Sequence, residues 1–231
     1  MRFICLVGPG QADRARNLRA SLSRFGHPLE VVETYDQALR NISKIVKLAE
    51  YLDVAEGEED EVVVLLDAFD VLCVRDPGEI DLRGRDVVVS TERCFGHHSP
   101  LVKPYFQAHT GDGHRFLNSG VVAGRLGPLR SLYRDLSGSV QRYRACVKWS
   151  GGNPNSDQAV WSYHVFRNDL LGRSIFLDTE DQISICNSPD LNIVDAEGAK
   201  GAVFVHTWAL YNPRQAQKYE KLVSSVLGAA D

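Results

Sequence analysis

A mostly parallel α/β sandwich is the fold this sequence predicts. Short apolar, β-rich runs alternate along the chain with segments of helical period. The strongest run, Val62 to Leu66, is five consecutive apolar residues, as in strands buried on both faces. The 231 residues fit one domain, 1–231, with 44% apolar and 24% charged residues, close to the averages of a folded chain.

Each element follows in order. Phe3 to Val7 is a strand that runs into the turn Gly8-Pro9-Gly10. Asp13 to Phe25 carries Leu18, Leu22 and Phe25 on one helical face, with Gly26 as its cap. Leu29 to Glu33 reads as a second strand, and residues 36–55 as a helix with a broad apolar stripe from Leu39 to Leu52. Val62 to Leu66 and Asp86 to Ser90 are strands. Residues 92–115, rich in Gly, His and Pro, have no clear period and read as a long active-site loop. Phe116 to Gly124 is a strand, Pro128 to Val147 a helix weakened by Gly138, and Ser156 to Phe166 a helix capped by Ser156 or Asn155. Short strands follow at Ser174 to Leu177, Ile183 to Cys186 and Ala202 to Val205. The last helix, Pro213 to Leu227, carries Tyr219, Leu222, Val223 and Val226 at helical spacing, for the core or for a homodimer interface.

Composition narrows the function. With 26 basic and 30 acidic side chains the net charge is −4, so bulk electrostatics offers nothing to nucleic acid. No apolar run approaches the ~20 residues that span a bilayer, and the start has neither the basic region nor the apolar length of a signal peptide. Five scattered cysteines without a CxxC pair suit a reducing compartment, so the chain is expected to be cytoplasmic.

The sharpest motif is VVVLLDAFDVL. A buried strand delivers Asp67 and Asp70 at its carboxyl end, where open α/β sheets place their ligands. Two carboxylates converging there repel, and a divalent cation relieves the repulsion. The plain alternative is that one Asp caps a turn and the other is solvated. A second apolar strand, AVFVH, ends at His206, whose imidazole would complete an O,O,N set suited to Mn²⁺ more than Mg²⁺; a lone histidine there can equally be a hydrogen-bonded core residue. In FLNSG, Asn118 and Ser119 sit amid apolar residues and Gly120 allows close backbone approach, to a ligand or within a β-bulge. Asp157 and Gln158 fall in the first turn of a helix. Lys44 reaches a phosphate or stays solvated. His97, His98, His109 and His114 match no zinc spacing, and GPGQADR lacks both GxGxxG and the P-loop pattern.

Taken in order, these segments resemble the glycosyltransferase domain of the procollagen lysyl hydroxylase/glycosyltransferase family. The resemblance rests on LLDAFD, GDGHRFLNSG, the SDQ helix start at Ser156, the stretch FLDTEDQISICN and the strand ending in His206. It departs at Leu39-Arg40-Asn41-Ile42, at RCFGHHSP and at His206-Thr207-Trp208-Ala209. The resemblance implies a GT-A-like (Rossmann-like) α/β/α sandwich with a mostly parallel central sheet. It also implies a Mn²⁺-dependent transferase, with Mg²⁺ the alternative ion, that moves a hexose (glucose or galactose) from a UDP-sugar to a hydroxyl acceptor. Hydroxylysine, a collagen-like protein or a glycan would be that acceptor. Asp67, Asp70 and His206 would be the metal ligands. Val7, Gly8, Lys44, Asp67, Asn118, Ser119, Gly120, Gln158 and Trp208 would line the substrate, and Asp157, then Glu92, would supply the catalytic carboxylate. A metal-dependent nucleotidyltransferase and a non-catalytic nucleotide-sugar-binding module are the competing readings.

Overall fold

The computed structural model describes residues 1–34, 41–95, 100–110, 115–150, 153–187, 191–207 and 213–228. Strand β1 (Arg2–Val7) leads through a 3₁₀ turn to helix α1 (Arg16–Ser23), then β2 (Leu29–Glu33) and α2 (Asn41–Val54). Next come β3 (Val62–Leu66), β4 (Val71–Cys73) and β5 (Val87–Glu92), then α3 (Lys103–Thr110), β6 (Phe116–Arg125), α4 (Leu126–Ser150) and α5 (Asp157–Asn168). The chain closes with β7 (Ile175–Leu177), β8 (Ser184–Asn187), β9 (Phe204–Thr207) and α6 (Pro213–Leu227).

All the strands join one sheet in the order β2-β1-β3-β6-β5-β8-β9-β4, with β7 on β5. Most pairings are parallel, but β6 runs antiparallel to both β3 and β5, and β4 antiparallel to β9. Side chains alternate between faces with the period of a strand. Ile4, Leu6, Val63 and Leu65 face α2, α4 and α5, where Ile45, Leu52, Tyr133 and Trp161 are buried. Phe3, Cys5, Val64 and Leu66 face α1 through Leu18 and Leu22. Covering both faces is what makes these strands read as continuous apolar runs. The apolar stripe of α6 is spent on the core: Tyr219, Leu222 and Val226 pack with Leu72 and Val205.

Several expectations are corrected. The stretch 92–115 is not without regular structure: Val102 and Phe106 are buried on successive turns of a 3₁₀ turn and α3. Pro104 lies in the first turn of α3, where a missing N–H costs no helical bond. Helix α4 passes through Gly138 and begins before Pro128. Strand β4 was not expected; at three residues it is too short to show a period, and its partner β9 is remote in sequence. Strand β9 lies later than predicted, so His206 is inside it rather than beyond it. Ser156, not Asn155, caps α5, its Oγ accepting from Ala159 N–H at 3.2 Å. Residues 36–40 of the second predicted helix, and His97, His98, His114 and Trp208, lie outside the described residues.

Candidate active site

The strand directions bring one edge of the sheet together from separate parts of the sequence. The carboxyl ends of β1, β3, β5, β8 and β9 meet the amino ends of β6 and β4 there. After Leu66 the chain leaves β3 and re-enters the sheet as β4 on its far side, so Asp67 to Asp70 bridges the two. Backbone bonds pin both ends of this bridge. Asp67 N–H donates to the Gly120 carbonyl at 2.8 Å, and the Asp70 carbonyl accepts from Thr207 N–H at 2.8 Å. His206 stands on β9 directly opposite Val71.

This geometry gathers Asp67, Asp70 and His206 with their ligand atoms all within 4.8 Å of one another. His206 Nε2 lies 3.7 Å from Asp67 Oδ2 and 3.5 Å from Asp70 Oδ1. Asp70 and His206 are buried, 5% and 6% exposed. Burial pushes the Asp70 carboxyl up despite the pull of His206. Asp67 also feels burial, but Lys44 and His206 outweigh it and hold its carboxyl below the ordinary value. Burial opposes charge on His206, yet Asp70 carries the imidazole well above its usual range. A half-buried carboxylate, a buried carboxylate and a buried imidazole form a donor set that fits a divalent cation of the Mn²⁺ type.

Gly120 makes room for the imidazole. The β5–β6 register breaks here: Val89 pairs with Val122 but Thr91 with Leu117, leaving Asn118 to Val121 opposite Ser90 alone. This is the bulge reading of FLNSG, and it brings His206 against the strand. A Cβ on Gly120 would stand 2.5 Å from His206 Nδ1 and 3.0 Å from Asn118 Oδ1. Gly120→Ala is therefore expected to displace the ring and weaken Mn²⁺ binding by about 10–100-fold, the scale on which disturbed ligand orientation acts. Calorimetric titration with Mn²⁺ checks this; an unchanged affinity would show that the ring tolerates the methyl group.

A second cluster adjoins the first. Lys44, from α2, lies 2.6 Å from Asp67 Oδ1 and 2.8 Å from Asp157 Oδ2. The structure thus removes the solvated-lysine alternative. Asp157 opens α5, where the helix N-terminus favours a carboxylate, and its Oδ2 also accepts from Ser119 Oγ at 2.9 Å. Glu92, 1% exposed, receives Asn118 Nδ2 at 3.0 Å on one oxygen and Gln158 Nε2 on the other. Val7 ends β1 at the same edge and Gly8 follows it, both buried, with the Val7 carbonyl accepting from Thr34 N–H at 3.0 Å.

Other residues of the site escaped sequence reasoning. Cys186 pairs in register with His206 on neighbouring strands, and burial pushes its thiol up. The Arg14 guanidinium stacks 3.7 Å from the centre of Phe69, inside the bridge between the two aspartates. Neither has a signal in its local sequence. Asp178 had one in FLDTEDQISICN: it accepts backbone N–H groups of Gln182, Ile183 and Ser184 at 2.9, 2.7 and 2.9 Å, which fixes the approach to β8.

Strand order, carboxyl-edge site and Asp-x-x-Asp bridge define a GT-A-type glycosyltransferase fold. The fold matches a glycosyltransferase involved in glycosylation of the major capsid of PBCV-1, at 15% identity and TM-score 0.57, over 95% of this chain and 98% of that one. It also matches the galactosyltransferase LgtC solved with donor and acceptor sugar analogs, at 14% identity and TM-score 0.55, over 96% of each chain. The bifunctional glycosyltransferase WbbM matches at 10% identity and TM-score 0.56, over 98% of this chain and 49% of that one. The profile of the PLOD GT domain matches residues 13–141, more than half of the chain, and the protein belongs to that glycosyltransferase family. No individual curated protein matches it by sequence. Among the described residues no helix is long and apolar enough to cross a membrane.

Proposed function

We propose that residues 1–231 act as one GT-A unit that transfers a hexose, glucose or galactose, from a UDP-sugar to a hydroxyl of a protein or glycan acceptor. The observation that carries this reading is the converging Asp67–Asp70–His206 set, in a chain of glycosyltransferase family. These three residues would hold Mn²⁺, with Mg²⁺ the alternative. Bound there, the cation would offset the negative charge that grows on the leaving diphosphate.

The chain's own residues account for the rest. Val7 and Gly8 border the donor where β1 ends, and the family resemblance adds Trp208 to the donor contacts. Lys44 lies between Asp67 and Asp157, bonded to both, and helps hold the Asp67 carboxyl below its ordinary value. During transfer the bond from the sugar carbon to the diphosphate oxygen breaks and one to the acceptor oxygen forms. The acceptor proton then needs a carboxylate. Asp157 is the first candidate, because it is oriented by Ser119 and Lys44 and can also steady positive charge on the sugar. Glu92 is second, since both its oxygens already hold amide groups. Among the described residues Cys5, Cys73, Cys94, Cys146 and Cys186 form no disulfide, which suits a cytoplasmic setting.

Nucleotide release from a panel of UDP- and GDP-sugars tests the reading. Release from one UDP-sugar is expected with Mn²⁺, lost on chelation and restored better by Mn²⁺ than by Mg²⁺. Silence across the panel, without a thermal shift from UDP plus Mn²⁺, overturns it.

A further inference from the structure

An imidazole binds a cation only through a nitrogen that carries no proton, so the tautomer of His206 decides whether it can serve. Its Nδ1 lies 3.0 Å from Asn118 Oδ1. A second contact fixes which end of the Asn118 amide faces the ring: Gly120 N–H, which can only donate, lies 2.9 Å from the same atom. That atom is therefore the oxygen, and Nδ1 must be the donor. Asn118 Nδ2 in turn donates to Glu92 Oε2 at 3.0 Å. Ser90 Oγ donates to the Asn118 carbonyl at 2.8 Å and fixes the backbone beneath it. Glu92 and Asn118 are each 1% exposed. Asn118 thus spends its amide inside the protein, between an anion and a ring.

We propose that Glu92 and Asn118 are positioning residues, an anchor and a relay that keep a proton on His206 Nδ1 and leave Nε2 as the nitrogen turned toward Asp67 and Asp70. The inference rests on the metal-dependent reading above. Partners behind a ligating histidine fix its tautomer and ring orientation. Here the carboxylate acts through an amide, which passes on orientation without adding a third anion to the contacts around Asp67 and Asp70. The register break in β6 has the same purpose: it turns Asn118 toward the ring and leaves Gly120 beneath it.

Two readouts test this. Ring ¹⁵N shifts of His206 in metal-free protein, recorded at a pH high enough to keep the imidazole neutral, should place the proton on Nδ1. In Asn118→Ala that preference should be lost. Mn²⁺ affinity, measured by calorimetry with the ion alone, should fall by about 10–100-fold in Asn118→Ala, by less in the isosteric Glu92→Gln, and vanish in Asp70→Ala. Should Asn118→Ala not fold, Glu92→Gln carries both measurements. A wild-type proton on Nε2 overturns the proposal. So does a lowered melting temperature with tautomer and affinity unchanged, which would reduce Asn118 to packing. If the wild type binds no Mn²⁺ yet keeps the Nδ1–H form, the metal-dependent reading fails while the relay stands.

Discussion

Asp70→Ala is expected, on the metal-dependent reading proposed above, to lower glycosyl transfer by about 10³-fold, equivalent to ~4 kcal/mol of transition-state stabilisation, while the metal-free protein stays folded and melts close to wild type. The first half follows from the donor set, because removing one of two carboxylates leaves Asp67 and His206 too few contacts to retain the cation. The second half follows from linkage. Burial raises the folded-state pKa of Asp70, against the pull of His206. A carboxylate raised on folding holds its proton more tightly in the native state, so stability falls as pH climbs from the unfolded carboxylate range through the folded value. Near neutral pH the Asp70 carboxylate therefore weighs against the metal-free fold while also supporting the charge on His206, so alanine removes a burden and a favourable contact together. The backbone anchor from Thr207 to the Asp70 carbonyl is untouched by the change. Transfer assays beside thermal melts in chelator check both halves. A variant that loses activity because it melts far below wild type would contradict the argument, and so would one that transfers normally.

The residues that were legible in the sequence are those whose signal is local. Five apolar residues ending in Asp67 announce a buried strand and its ligand edge, and Ser156-Asp157-Gln158 announces a helix start. His206 closes an apolar run in the same way. What stayed hidden depends on remote partners. Nothing near Phe116 to Arg125 says that this strand runs against its neighbours, because direction is set by where β3 and β5 lie. Asn118 reads as a polar residue available to a sugar until the register break turns it toward Glu92 and His206. Residues 92–115 looked irregular because the glycines, histidines and prolines outnumber the two apolar anchors, Val102 and Phe106, that fold α3 onto the core. The family resemblance covered this gap in part, since it carried collinear motifs whose long-range meeting no local pattern contains.

Lys44→Met should show that one cation stands in for another. Lys44 is the only side chain described between Asp67 and Asp157, bonded to both. Methionine keeps the apolar stem but takes away the charge that Asp67 and Asp157 share, leaving His206 as the cation beside Asp67. Removing one partner of a buried ion pair costs about 3–5 kcal/mol. Asp67 keeps 30% side-chain exposure, so water recovers part of this and a loss of about 3 kcal/mol is expected. In a domain of this length that lowers the melting temperature by ~6–12 °C in chelator. The pH dependence has a definite sign. Burial opposes the Lys44 charge, but Asp157 and Asp67 raise its pKa well above the ordinary value, so its contribution is complete below the unfolded lysine range and is lost only as pH rises through the folded value. Asp67, lowered overall, contributes above the unfolded carboxylate range and loses that contribution as pH falls through its folded value. From about pH 5 up to the range where His206 gives up its proton the deficit of the variant should therefore be constant, and above that it should grow as Asp67 loses its second counter-charge. Mn²⁺ bound as proposed by Asp67, Asp70 and His206 would neutralise the same carboxylate, so adding it should raise the melting temperature of Lys44→Met more than that of wild type. Equal shifts in the two proteins would mean that Lys44 and the cation answer to different charges, and a variant as stable as wild type in chelator would mean that the two aspartates do not share Lys44 at all.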